Sequence, residues 1–99
     1  MRYLLLLVLA ALLNGSAMAD ASLAMQRGCA GCHKPDAKLI GPAYRDIAER
    51  YRGDDGAVDR LLGRLETGGS GVWGTLAMPP SAASPEETRQ LVEWILSAH

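Results

Sequence analysis

The sequence predicts an all-α domain of about four short helices, and three observations carry that prediction. Apolar residues recur at i, i+3, i+4 and i+7 in several separate segments. No segment shows a clean period-two alternation of the kind a half-buried strand requires. One segment, beginning at Ser84, carries a complete set of helix-start signals.

Taken in order, Ala21 to about Cys32 reads as a first helix in which Leu23, Gly28 and Cys32 share a buried side. Lys34 to Pro42 is a loop, because a proline discourages helical backbone at the residue before it. Tyr44 to Arg52 follows as a short amphipathic helix. Its inward residues are Tyr44, Ile47, Ala48 and Tyr51, and Gly53 suits a left-handed stop. A third helix runs from Ala57 to about Glu66 with Val58, Leu61, Leu62 and Leu65 as its stripe, and the glycines from Gly68 onward end it. Residues 68–84 are rich in Gly, Pro and Ser, and an irregular stretch of that length in a small domain points to function. In the last helix Ser84 is the N-cap, Pro85 takes the first turn and Glu87 completes a capping box. Leu91, Trp94, Ile95 and Ala98 form its buried side.

Residues 1–19 are set apart from this domain. Arg2 precedes an apolar run from Leu4 to Leu13, Asn14-Gly15-Ser16 breaks it, and Ala17-Met18-Ala19 offers a small-x-small cleavage site. The run is about half the roughly 20 residues a membrane-spanning helix needs. The segment is therefore read as a cleaved secretory signal, leaving residues 20–99 as one exported domain with no stable membrane insertion. Without Arg2 the balance is nine basic against eleven acidic residues, a net charge of about −2. That excludes the basic stripe of a nucleic-acid binder and argues against docking driven mainly by a strongly charged face. A chain this short, with no Phe, is near the lower size limit for a self-sufficient core. A bound apolar cofactor would make up the shortfall.

Both cysteines lie in Cys29-Ala30-Gly31-Cys32-His33, the pattern of c-type haem attachment. Two thiols add across the two vinyl groups of one haem, so they must reach neighbouring edges of a single ring. The adjacent His33 is then placed to ligate the iron. Other uses of the motif fit less well. A structural zinc site needs four ligands, and His99 is the only further His or Cys. A redox dithiol is expected beside a βαβ pattern that is absent, and a disulfide closing so short a loop would stabilise little. For a sixth ligand, Met25 sits four residues before Cys29 on the attachment side and reads as a partly buried helix residue. Lys34 and Lys38 share that side, and His99 is terminal. Met78 remains, forty-five residues after His33 and followed by Pro79-Pro80, which stiffen the backbone beyond it. His/Met ligation fills both axial positions and raises the haem potential.

Three stretches together resemble a known family: Ile40-Gly41-Pro42-Ala43-Tyr44, Gly69-Ser70-Gly71-Val72-Trp73-Gly74 and Ala77-Met78-Pro79-Pro80. With the attachment motif and Leu91-Val92-Glu93-Trp94-Ile95-Leu96, they are similar to the small bacterial class I cytochromes c of the c-551 or c-552 type. The resemblance implies the class I cytochrome c fold, with helices around one covalently attached haem c and the N- and C-terminal helices crossing. It implies that Gly28 permits close approach of the helix bearing Trp94, and that Trp94 fills the crossing. It also implies that the Pro42 carbonyl accepts from His33, that Arg64 and Trp73 donate to a haem propionate, and that Ile40, Tyr44, Tyr51, Leu61 and Leu65 line the haem-facing core. Ser81 departs from the Asn that relatives often place after Met-Pro-Pro, and a hydroxyl there would cap a turn and hold the thioether less firmly. The function implied is that of a monomeric periplasmic electron carrier, a non-enzyme. Its implied partners are a bc-type complex, a nitrite reductase or a terminal oxidase. The competing readings are a haem-c enzyme or ligand sensor with an open or labile sixth site, and a subunit held in a larger enzyme. Mass spectrometry of the exported protein should find a chain beginning at Asp20 with one haem added; a chain beginning at Met1 would contradict the leader.

Overall fold

A computed structural model describes residues 20–98; the expected leader, residues 1–19, and His99 lie outside the described residues. The first helix, α1, is Ala21–Gln26, and the Asp20 carboxylate caps it by accepting from the Leu23 backbone N–H at 3.1 Å. It does not continue to Cys32 as expected. Gly28 turns left-handed at φ +82°, and residues Cys29–Gly31 form a 3₁₀ turn instead. The amides of Cys32 and His33 both donate to the Cys29 carbonyl, at 3.1 and 2.9 Å, which winds the attachment motif into one tight turn. Gly28 therefore serves the backbone and not a close helix approach: a Cβ added there would meet nothing within 4 Å.

Helix α2, Tyr44–Arg50, is two residues shorter than the pattern suggested, and Gly53 beyond it is left-handed at φ +77°. Helix α3, Ala57–Thr67, stops at Gly68, whose φ of +69° and ψ of −165° belong to a backbone region only glycine visits freely. Helix α4, Pro85–Leu96, begins as expected: Ser84 Oγ accepts from the Glu87 amide at 3.2 Å, and Glu87 accepts from the Ser84 amide at 3.0 Å. Such a cap contributes about 1 kcal/mol.

Helix α4 is the centre of the fold and packs against both α2 and α3. One cluster joins Tyr44, Ile47, Leu61, Leu65, Val92 and Ile95; a second joins Ala24 of α1 to Leu91. Trp94 touches both clusters, which is where the terminal helices meet. Leu91 and Val92 are fully buried, and Val92 lies outside the expected stripe. A helix covered on two sides buries a wider arc than the single face that a 3.6-residue period marks out. One expectation fails outright: Met25 is 68 % exposed rather than partly buried. Met25 falls on the outer side of a six-residue helix whose single buried residue is Ala24. Ile40, 54 % exposed, lies on the loop that follows the attachment motif. No strand forms among the described residues, and no helix among them is long and apolar enough to cross a membrane.

The α1–α4 junction is closed by a bidentate ion pair, with Arg27 Nη2 at 2.7 Å and Nε at 3.0 Å from the Glu87 carboxylate. The Arg27 hydrogen bond, followed by the Ser84 amide, holds the Glu87 carboxyl down at about 2, against an ordinary value of 4.5. The stability this lowered value supplies is complete above pH 4.5 and is lost as pH falls toward 2. Acid unfolding followed by circular dichroism should therefore be shallower over that window in Glu87→Gln than in the wild type, and identical pH profiles would contradict the pairing.

Candidate functional site

The attachment motif and the loop after it are tied together by backbone hydrogen bonds. Gly41 N–H donates to the Cys32 carbonyl at 2.7 Å, Tyr44 N–H to Lys34 at 2.9 Å and Arg45 N–H to Pro35 at 3.1 Å. These bonds fold residues 41–45 back alongside 32–35, so the start of α2 is built against the motif. Cys29 and Cys32 are each half-buried and form no disulfide. Before haem attachment, burial pushes the Cys29 thiol up from its ordinary value.

The His33 imidazole lies within this fold-back. Its Nδ1 is 2.7 Å from the Pro42 carbonyl oxygen. A carbonyl can only accept, so Nδ1 carries a proton, and in the neutral imidazole Nε2 is the nitrogen with the lone pair. Gly41 leaves room for the ring: an added Cβ would stand 2.5 Å from Cε1, 2.8 Å from Nδ1 and 3.0 Å from Nε2. The Tyr44 ring stacks on the imidazole with centroids 5.6 Å apart and planes 25° apart. The imidazole is thus held by Gly41, Pro42 and Tyr44, three residues of one tetrapeptide.

The residues around Met78 are arranged just as specifically. Gly69 and Met78 exchange two backbone hydrogen bonds, each 2.9 Å. Gly68 is buried, and a Cβ added there would collide with the Met78 carbonyl oxygen and with Pro79 and Pro80. The Met78 side chain packs against the cluster that contains Tyr44 and Leu65. Ser81 N–H donates to the Leu65 carbonyl at 2.7 Å, while Ser81 Oγ accepts from the Ala83 amide at 3.1 Å and so caps a turn. Arg64 lies against the same loop, its Nη1 donating to the Ser70 carbonyl at 3.3 Å. Trp73 is 45 % exposed, and the Arg50 guanidinium sits 5.3 Å from its ring centroid. Gly41, Gly68 and Arg50 were missed in the sequence. The glycines could have been found from their places, one before the Pro that follows the motif and the other closing α3.

This donor set fits a haem. Two thiols are wound into one turn, an imidazole with a free Nε2 follows them, and a thioether stands on a second loop packed on the same core. The large exposed apolar residues besides Met25 are Leu39, Ile40, Val72, Trp73 and Leu76, and all fall on the two loops that carry the fold-back and Met78. An all-helical fold with such a site defines a haem-binding electron-transfer protein. The chain belongs to the cytochrome c family, whose model matches residues 18–99, and its cofactor is one covalently attached haem c. It is 49 % identical to cytochrome c-552 of Hydrogenobacter thermophilus over 92 residues, covering 93 % of this chain and 94 % of that one. It is 49 % identical to cytochrome c-551 of Allochromatium vinosum over 82 residues, covering 82 % and 87 %. The crystal structure of Nitrosomonas europaea cytochrome c552 superposes with a TM-score of 0.77 at 41 % identity, covering 81 % of this chain and all of that one. The small class I cytochrome fold expected from the sequence is therefore correct, and electron transport is the function the family supports.

Gly41 has no positive φ, so an alanine there meets no backbone strain and tests the cradle alone. Gly41→Ala should cost about 1–3 kcal/mol in chemical denaturation, the usual range for overpacking, and should shift the His33 ring resonances. Unshifted resonances at wild-type stability would contradict the cradle.

Proposed function

We propose that this protein is a periplasmic monohaem electron carrier in which His33 and Met78 are the two axial ligands of one haem iron. Cys29 and Cys32 form the thioethers, and residues 1–19 are removed on export. The observation that carries the reading is the His33 Nδ1 to Pro42 contact of 2.7 Å, which leaves Nε2 as the nitrogen able to bind a metal. When bound, the haem supplies one-electron exchange between ferric and ferrous iron.

The chain's own residues do the rest. Pro42 would anchor the imidazole at its Nδ1 edge and strengthen it as a donor. Gly68 and Gly69 hold the backbone of Met78, so the thioether is offered with little freedom left to lose. Arg64 and Trp73 would donate to a propionate and offset its charge. With His33 and Met78 both holding the iron, no position would remain for a substrate, and the protein would exchange electrons without acting as an enzyme. Partners of the respiratory type, such as a bc-type complex as donor and a nitrite reductase or terminal oxidase as acceptor, fit a carrier with a near-neutral surface.

Met78→Ala decides between this reading and an open-site haem protein. The native ferric protein should show the far-red charge-transfer band of methionine-ligated haem, and the variant should lose it. The native ferrous protein should bind carbon monoxide poorly and the variant readily. Ready carbon monoxide binding by the native protein would contradict the carrier reading.

A further inference from the structure

Tyr44 is 4 % exposed, yet its hydroxyl has no hydrogen-bond partner among the described residues. The ring is therefore not located by its hydroxyl, and its contacts must locate it. On one side it lies nearly parallel to His33, with centroids 5.6 Å apart. On another, Trp94 of α4 meets it edge-on at 5.0 Å and 65°. Its backbone is fixed as well, since the Tyr44 amide donates to the Lys34 carbonyl one residue beyond His33. Three aromatic rings thus run in contact from the C-terminal helix to the imidazole.

We propose that Tyr44 is a positioning residue for the His33 imidazole, pressed onto its face by Trp94, so that the C-terminal helix sets the rotation of that ring. The Pro42 carbonyl restrains the imidazole only at the Nδ1 edge, and rotation about the axis through that hydrogen bond stays open. A ring stacked on the face closes it. The proposal rests on His33 being the iron ligand, and it deepens that reading by adding a constraint that reaches from α4. The operative part is the aromatic face, not the hydroxyl.

Proton NMR of the haem-loaded protein tests it. In the ferrous wild type, His33 ring protons moved strongly upfield by the haem ring current establish ligation; their absence would defeat the ligand reading itself, whatever Tyr44 does. Given ligation, cross-peaks between the Tyr44 and His33 ring protons are expected, and their absence overturns the proposal without any variant. In the ferric protein the spread of the haem methyl shifts reports the orientation of the axial ligands. Tyr44→Phe should keep the wild-type spread, because the ring remains. Tyr44→Leu should change that spread while retaining the methionine charge-transfer band. A Tyr44→Leu protein that keeps the wild-type spread, or a Tyr44→Phe protein that loses it, would contradict the proposal. A purely structural role would lower stability and leave the spread unchanged.

Discussion

A single hydrogen bond, from Nδ1 of His33 to the carbonyl of Pro42, turns a rotatable side chain into a directed donor. Most of the architecture around it can be understood as what keeps that bond in place. Gly41 gives up its side chain so that the imidazole can lie against the loop. The amides of Gly41, Tyr44 and Arg45 then anchor the loop to the motif that supplies the histidine. Since Tyr44 also opens α2 and stands in the main core cluster, the imidazole is coupled to the most buried part of the molecule.

The same economy recurs on the second loop. A loop of this length would ordinarily be mobile, and a thioether is a weak donor that gains from being offered ready-placed. Here a glycine pair at the end of α3 exchanges backbone bonds with Met78 and presses against its carbonyl. Ser81 ties the segment back to Leu65. Both loops therefore rest on helices that share α4, and neither depends on a disulfide. In so small a domain this matters, because there is little surplus stability with which to hold a loop by other means.

Much of this was legible in the residues, and the reasons for the exceptions are physical. Helix α4 was read accurately because Ser84, Pro85 and Glu87 are local signals that act within one turn. The attachment motif was equally plain, since the spacing of Cys29, Cys32 and His33 is dictated by the group they bind. The break at Gly28 was not legible, because a glycine inside an apolar pattern is also compatible with continued helix. Val92 was overlooked because periodicity reports one face, and α4 is covered on two. Gly41 and Gly68 carry no chemistry of their own. Their importance lies in what stands against them, and that is fixed only by the tertiary fold.

The proposed ligation by His33 and Met78 makes one low-spin haem iron that changes oxidation state without changing ligands. A spectroelectrochemical titration of the mature protein, followed in the visible range, tests it most directly. A single one-electron wave between six-coordinate low-spin ferric and ferrous spectra is expected, with clean isosbestic points and no hysteresis. A five-coordinate spectrum in either oxidation state, or a titration that requires a ligand exchange step, would contradict it.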